Sequence, residues 1–198
     1  MNYYVVETDK HKLIQKTAGV KARQDVETIF KWNNFKKIEI PCLIEGRENK
    51  TRLGKIKAHY DVYMLWKNAL KKIKKNDWIY IQFPLLEHTM LFSLLIKNLE
   101  KRGIHTSIII HDVEAIRFTL RNDVPLSRKI RMRFEEISSF KNCSKIIVHN
   151  EKMKSFMHEK WKIHKDKMDI LGIFDYLVEN YNEELLEKRN LSRKGPVI

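Results

Sequence analysis

The chain has 198 residues, of which 43% are hydrophobic, and its 39 basic and 25 acidic residues give a net charge of +14. This length suits one well-cored domain, and the hydrophobic content excludes an intrinsically disordered chain. No apolar stretch approaches the roughly 20 residues that span a bilayer, and no basic region precedes an apolar one at the N-terminus, so we expect a cytoplasmic protein.

Short apolar runs alternate with stretches of helical periodicity along the chain. The predicted strands cover residues 3–8, 35–40, 78–82, 106–110, 145–148 and 168–171. A predicted helix begins at Ala18, and further helices are predicted over residues 56–73, 84–102, 126–141 and 151–161. This alternation predicts an α/β fold with a Rossmann-like, doubly wound parallel sheet. We expect the domain to cover residues 1–177, with a linker and the start of a further domain at 178–198.

Two details of the helices follow from particular residues. Pro84 is expected in the first turn of the helix after the third strand, where proline is tolerated. In the helix over 126–141, Ile130, Phe134, Ile137 and Phe140 recur every three or four residues, which predicts its apolar face.

Polar residues directly follow three of the apolar runs. Gln82 ends the third strand, His111 and Asp112 follow the fourth, and His149 and Asn150 follow the fifth. Ligands of open parallel sheets bind beyond the carboxyl ends of the strands. We therefore expect these side chains to line a binding edge, with Asn150 also capping the next helix.

The residues after the fourth strand carry the groups with the most useful chemistry. His111 can exchange protons near neutral pH, and Asp112 or Glu114 could act as a general base or hold a sugar hydroxyl. Alternatively, Asp112 caps the following helix, His111 bonds to a neighbouring loop, and Glu114 pairs with Arg117 three residues further on.

The segment before the first helix offers a weaker signal for an anion site. Thr17, Ala18 and Gly19 are small enough for a ligand to approach backbone N–H groups, and a helix N-terminus favours phosphate. Lys21 could add positive charge there. The segment is neither a Walker loop nor a GxGxxG fingerprint, and a simple glycine turn explains it equally well.

The remaining signals concern metals and charge. Cys42 and Cys143 show no CxxC spacing, and no HxxxH or HExxH spacing exists, so we expect reduced thiols and no metal site.

The basic residues are densest at 71–75 and 128–133. We interpret these runs as solvated helix faces, with attraction to an anionic membrane surface as the alternative. Nucleic-acid binding is not expected, because no recognised motif is present.

The strand-end phrases at 81–86, 110–117 and 148–153 resemble those of the galactofuranosyltransferase-like sugar transferases. That family includes the glucosyltransferases that extend glycans on serine-rich-repeat adhesins. Residues 18–22 with Asp25, and residues 171–177, are similar to the same family. The resemblance implies the N-terminal half of a GT-B fold, in which this domain mainly holds the acceptor and a second domain holds the nucleotide-sugar donor.

The resemblance also implies a reaction and a set of site residues. The intact enzyme would transfer a sugar from a nucleotide-sugar, expected to be UDP-linked, to a hydroxyl of a glycan or glycoprotein without a catalytic metal. Asp112 is the expected base and His111 its rival. The expected substrate-binding residues are Thr17, Gly19, Lys21, Gln82, Glu114, Arg117, His149 and Asn150. The alternative is a non-catalytic glycan- or protein-binding module derived from such a transferase.

Three further expectations concern the setting of the domain. The donor half is expected to be missing, so this chain alone should be inactive. Related transferases often associate, so a homo-oligomer is one option, and the sequence alone does not decide the oligomeric state. A peripheral location at the inner membrane face is the alternative to a purely cytoplasmic one, since basic charge can attract an anionic surface.

Overall fold

The computed structural model describes residues 1–8, 18–43, 51–118, 123–172 and 177. In these ranges six strands form one parallel sheet in the order β2-β1-β3-β4-β5-β6. The strands are β1 (Asn2–Thr8), β2 (Lys36–Pro41), β3 (Trp78–Phe83), β4 (His105–Ile110), β5 (Lys145–Val148) and β6 (Met168–Ile170). All six were predicted from their β-branched runs, with bounds that differ by at most two residues.

Helices connect the strands. They are α1 (Ala18–Trp32), α2 (Arg52–Ala69), α3 (Phe92–Lys101), α4 (Glu114–Arg117), α5 (Leu126–Met132), α6 (Ser138–Asn142) and α7 (Glu151–Trp161). A π-helical turn (Arg133–Ile137) joins α5 to α6, and a short 3₁₀ helix (Lys165–Lys167) precedes β6. Within the described part of the chain, none of the helices has the length and apolarity needed to cross a lipid bilayer.

The sheet is covered by helices on both faces. Helices α2, α3, α6 and α7 pack on one face, where Trp66 and Phe140 belong to the main hydrophobic cluster. Helix α1 packs on the other face, where the ring of Phe30 stacks on Tyr4 and Phe35 at centroid distances of 5.3 and 5.0 Å. This arrangement confirms the predicted Rossmann-like, doubly wound α/β sheet.

The strand order reverses at β1, and the sheet opens there. Strands β1 and β3 pair only as far as Tyr4 and Tyr80. Beyond that pair, residues 5–8 of β1 and 81–83 of β3 run on without pairing to each other. The gap between these two segments is called the switch-point crevice below. Such a reversal is where doubly wound sheets bind ligands.

The start of α3 differs from the prediction. The helix begins at Phe92 rather than near Pro84. The intervening residues form turns because two of their backbone N–H groups bond to a side chain instead of to a helical carbonyl. Leu86 N and Glu87 N donate to the carboxylate of Glu7, at 2.8 and 3.2 Å. The segment after β3 is thereby tied to the end of β1.

The buried face of the helical stretch 126–142 also differs from the prediction. Phe140 is fully buried as expected, but Ile130 and Phe134 are 41% and 50% exposed. Glu135 and Glu136 are buried instead, at 0% and 1% exposure. A π-helical turn contains one extra residue, which rotates the side chains before it relative to those after it. A constant period of 3.6 residues therefore places Ile130 and Phe134 wrongly on the same face as Phe140.

Candidate functional site

Three polar side chains form a row of hydrogen bonds across the carboxyl ends of β3, β4 and β5. The side-chain amide nitrogen of Gln82 donates to the Arg23 carbonyl oxygen at 3.3 Å. Gln82 Oε1 lies 2.7 Å from His111 Nε2, and His149 Nε2 lies 3.3 Å from the carbonyl oxygen of His111. We call Gln82, His111 and His149 the strand-end row. Their placement at one edge follows the prediction from strand ends.

The hydrogen bonds of the row define the protonation of His111. Because the amide nitrogen of Gln82 is used as a donor, its Oε1 must accept, so His111 Nε2 carries the proton. Burial lowers the pKa of His111 to about 4, helped by the positive charge of Arg23 and by His149. His111 is therefore neutral near pH 7, with the lone pair of Nδ1 available as a base.

Asp112 is held close to its own backbone. Its Oδ1 accepts a hydrogen bond from Val113 N at 2.8 Å, and its Oδ2 forms an ion pair with Arg117. Both side chains of that pair remain well exposed to solvent. The alternative prediction that Asp112 caps the following helix is wrong, because the N-cap residue of α4 is Val113 and its side chain makes no capping hydrogen bond. The exposed carboxylate of Asp112 can still be reached by a ligand.

Glu114 pairs with α5 rather than with its neighbour in sequence. Its carboxylate binds Arg128 and Arg131, while Arg117 binds Asp112, so the predicted Glu114–Arg117 pair is wrong. Burial opposes ionisation of Glu114, but the hydrogen bonds from the two arginines outweigh it and lower its pKa. Part of the predicted basic run at 128–133 is thus neutralised by α4.

The π-helical turn brings two buried glutamates beside this cluster. Glu135 Oε1 lies 2.5 Å from His88 Nδ1 and 3.5 Å from the guanidinium of Arg131. Glu136 accepts a hydrogen bond from Ala115 N at 2.8 Å, and burial raises its pKa to about 7. These contacts tie the segment after β3 and the start of α4 to the same helix.

The segment before α1 is only partly described. Thr17 lies outside the described residues, while Gly19 is exposed and a Cβ there would meet nothing within 4 Å. Lys21 Nζ lies 2.7 Å from Asp25 Oδ1, inside the same helix. Asp25 Oδ2 also accepts a hydrogen bond from Leu177 N at 3.1 Å. The charge of Lys21 is therefore already balanced by Asp25, and the role of this segment in binding a phosphate stays a prediction.

Asn150 has the predicted structural role. Its side chain accepts a hydrogen bond from Met153 N at 2.9 Å and so caps α7. This places Asn150 at the same sheet edge as His149, with its side-chain oxygen already in use.

Two charged residues of the switch-point crevice were missed by the sequence analysis. Burial raises the pKa of Glu7, near the end of β1, to about 7. Arg23 of α1 donates a hydrogen bond to the Pro84 carbonyl oxygen, and burial lowers its pKa. The signal for Glu7 was available, since it too lies at the end of a predicted strand. Arg23 had none, because its position depends on how α1 packs.

Both cysteines lie within the described residues. Cys42 and Cys143 are both free thiols, and burial raises the pKa of Cys143 to about 12. Within the described ranges, no three His, Cys, Asp or Glu side chains form a group that could hold a metal ion.

The fold is a Rossmann-like α/β domain, and the strand-end row lies at the carboxyl edge of its parallel sheet, with Gln82 beside the switch-point crevice. The chain belongs to the family of Glucosyltransferase 3-like N-terminal domains, whose family model matches residues 2–173. The predicted resemblance to glucosyltransferases is thereby confirmed. A comparison with curated proteins finds no match for this chain. The boundary at residue 177 stays a prediction, and residues 178–198 lie outside the described part of the structure.

Proposed function

We propose that this chain is the acceptor-side domain of a GT-B-type glycosyltransferase. The intact enzyme would transfer a sugar from a nucleotide-sugar, expected to be UDP-linked, to a hydroxyl of a glycan or glycoprotein. The observation that carries the proposal is the strand-end row of a glucosyltransferase-family domain, which extends from Gln82 at the switch-point crevice across the ends of β4 and β5. Polar groups at that edge are placed to hold an acceptor hydroxyl, as ligands of open α/β sheets are held.

His111 is the residue we propose as the general base. Its Nε2–H is directed to Gln82 Oε1, which leaves Nδ1 to take the proton of the attacking hydroxyl. A pKa of about 4 makes the free imidazole a weak base. The negative charge of a departing diphosphate would counter the field of Arg23 and raise that pKa when the donor is bound.

Asp112 remains the competing base. Its carboxylate is exposed to a ligand, but Oδ2 is already engaged in the ion pair with Arg117. The two candidates differ in their contacts, since Asp112 binds Arg117 and His111 binds Gln82. Loss of Arg117 would free Oδ2 of Asp112 and leave the contacts of His111 in place.

The test measures sugar transfer by an enzyme in which this chain is joined to the donor-binding domain of a glycosyltransferase of the same family. A His111→Gln protein should lose at least roughly a hundredfold in turnover, the contribution expected of a general base. His164→Gln is the matched control, since His164 is an exposed histidine away from the strand-end row. Unchanged turnover in His111→Gln would assign the base elsewhere, and Asp112→Asn would then identify or exclude its rival.

The same experiment decides between an enzyme and a binding module. We expect a glycosylated serine-rich peptide to bind the 198-residue chain in calorimetry, and UDP-glucose to bind it weakly or not at all. Peptide binding without transfer in the presence of the donor domain would favour the non-catalytic module. Tight UDP-glucose binding by this chain alone would argue against a purely acceptor-side role.

We also propose that α5 and the start of the π-helical turn contact an anionic membrane surface. Leu126, Ile130 and Phe134 are 72%, 41% and 50% exposed, and basic Lys129 and Arg133 lie among them. Exposed apolar side chains with interspersed Lys and Arg favour the interface of an anionic bilayer. This would keep the domain near a lipid-attached or membrane-bound reaction partner.

A further inference from the structure

The switch-point crevice contains a cavity of about 290 Å³. It lies between the unpaired ends of β1 and β3 and under helix α1. Residues 5–8 form one wall, Ile81 and Gln82 form the other, and α1 contributes Val20 and Arg23 among others. The cavity is thus a consequence of the topology: it exists because β1 and β3 separate after Tyr4.

The charged groups of the cavity have both signs. Its lining includes three carboxylates, from Glu7, Glu27 and Glu39, and two cations, from Arg23 and Lys37. Lys37 and Glu39 neutralise each other in an ion pair of 2.5 Å. A phosphate or carboxylate ligand would therefore meet the carboxylates of Glu7 and Glu27, and a cationic ligand would meet the guanidinium of Arg23. The lining suits a neutral ligand that both donates and accepts hydrogen bonds.

Arg23 and Glu27 each have hydrogen-bonding groups that are available to a ligand. Arg23 donates to the Pro84 carbonyl oxygen, and among the described residues no carboxylate lies within ion-pair distance of its guanidinium. Burial raises the pKa of Glu27, and no side chain among the described residues holds its carboxylate. A guanidinium has five N–H donors, so most of those of Arg23 are available to a ligand.

Apart from these charged groups and the polar side chains of Thr8, Gln24 and Gln82, the described lining is apolar. The cavity is bounded by the side chains of Val5, Val6, Val20, Trp66, Ile81 and Leu86. A pyranose has hydroxyl groups around its edge and C–H groups on its faces. A cavity with apolar walls and a few well-placed polar groups matches that pattern.

We propose that the switch-point crevice binds a neutral saccharide unit of the acceptor, with Arg23 and Glu27 bonding to its hydroxyls. This inference rests on the proposed function and specifies where the acceptor glycan lies. The cavity adjoins the strand-end row, because Gln82 lines it and also bonds to His111. A sugar in the crevice would therefore lie beside the proposed base, with the reacting hydroxyl on this unit or the next.

The test is a titration of the ¹⁵N-labelled 198-residue chain with glucose, N-acetylglucosamine and maltose. Saturable shifts are expected for the amides of Val6, Thr8 and Glu27 with at least one of these sugars. Arg23→Met should weaken that binding by roughly tenfold or more, since a hydrogen bond to a charged group is lost. Lys31→Met is the matched control, because Lys31 is an exposed cation of the same helix.

Several results would overturn the inference. They are the absence of saturable shifts with all three sugars, equal binding by Arg23→Met and the parent chain, and tighter binding of inorganic phosphate than of any sugar at these amides. If Arg23→Met does not fold, Glu27→Gln replaces it, with the same expected loss of binding. Transfer activity without sugar binding here would refute this inference alone, whereas sugar binding without transfer would count against the proposed function alone.

Discussion

The imidazole Nε2 of His111 lies 2.7 Å from the side-chain oxygen of Gln82, and this one contact fixes which nitrogen of the imidazole is basic. Gln82 cannot turn its amide around without losing the hydrogen bond to the carbonyl oxygen of Arg23. The pair therefore holds His111 as the Nε2–H tautomer. Helix α1, through Arg23, determines the protonation of a residue at the end of β4.

The first prediction concerns that tautomer. The ¹⁵N shifts of the His111 ring should show a protonated Nε2 and an unprotonated Nδ1 at pH 7. Because burial and the Arg23 charge lower its pKa to about 4, His111 should begin to titrate only below pH 5. The exposed His164 serves as an internal reference in the same spectra. A protonated Nδ1 at pH 7 would contradict the hydrogen-bonding scheme, and a midpoint above pH 6 would contradict the lowered pKa of His111.

The second prediction uses Gln82→Glu. The new carboxylate can accept from His111 Nε2–H, and its negative charge favours the imidazolium, so the pKa of His111 should rise by about one to three units. Gln24→Glu adds the same charge at an exposed position of α1 and should change that pKa much less. NMR titration of both variants measures the difference. An unchanged pKa in Gln82→Glu would mean that the two side chains do not touch in solution.

The strands and their polar ends could be predicted because both depend on local sequence. Buried parallel strands need β-branched runs, and the residues after those runs must reach one edge of the sheet. Gln82, His111 and His149 were found in this way. Their hydrogen bonds to one another could not be predicted, since these depend on the register of β3, β4 and β5.

The switch-point crevice and the buried glutamates could not be predicted from the sequence, for a different reason. The separation of β1 from β3 after Tyr4 is a property of the whole sheet, so Arg23 gave no signal in its own segment. The π-helical turn interrupts the period of 3.6 residues. Glu135 is therefore buried, whereas the sequence pattern predicts that Phe134 is buried. Glu135 is tolerated there because His88 and Arg131 bond to it.

The third prediction concerns stability and pH. Burial raises the pKa of Glu136 from an ordinary 4.5 to about 7, so the folded chain holds this proton more tightly than the unfolded chain. Its contribution to stability is then present below about pH 4.5 and is lost as pH rises through 7. Glu136→Gln should gain roughly 1 to 3 kcal/mol relative to the parent chain between pH 4.5 and 8.

Urea unfolding at several pH values measures the unfolding free energy of Glu136→Gln and of the parent chain. Because Glu7 and His111 contribute equally to both chains, their contributions cancel in the difference. Glu159→Gln is the control, since Glu159 is exposed on α7 and should show no pH-dependent change in stability. A constant difference between Glu136→Gln and the parent chain across this range would contradict the raised pKa.

The fourth prediction compares two phenylalanines of one helical stretch. Phe140 is fully buried and packs edge-on against Phe83 at a centroid distance of 5.1 Å, so Phe140→Ala should cost about 3–5 kcal/mol. Phe134 is half exposed, and Phe134→Ala should cost less than about 1 kcal/mol. Thermal or urea unfolding checks both values. Equal losses would mean that the π-helical turn does not displace Phe134 from the core.

The fifth prediction tests the membrane contact of α5. The chain should bind phosphatidylglycerol vesicles and not phosphatidylcholine vesicles, because its net charge of +14 favours an anionic surface. Replacing both Leu126 and Phe134 by Ser should weaken binding at least roughly tenfold, since these exposed side chains would be lost from the lipid interface. The same change at Leu53 and Ile56, which are exposed on α2, should have little effect. Vesicle sedimentation measures both variants, and equal binding by the two would show that net charge alone, without a specific helix face, attracts the domain to lipid.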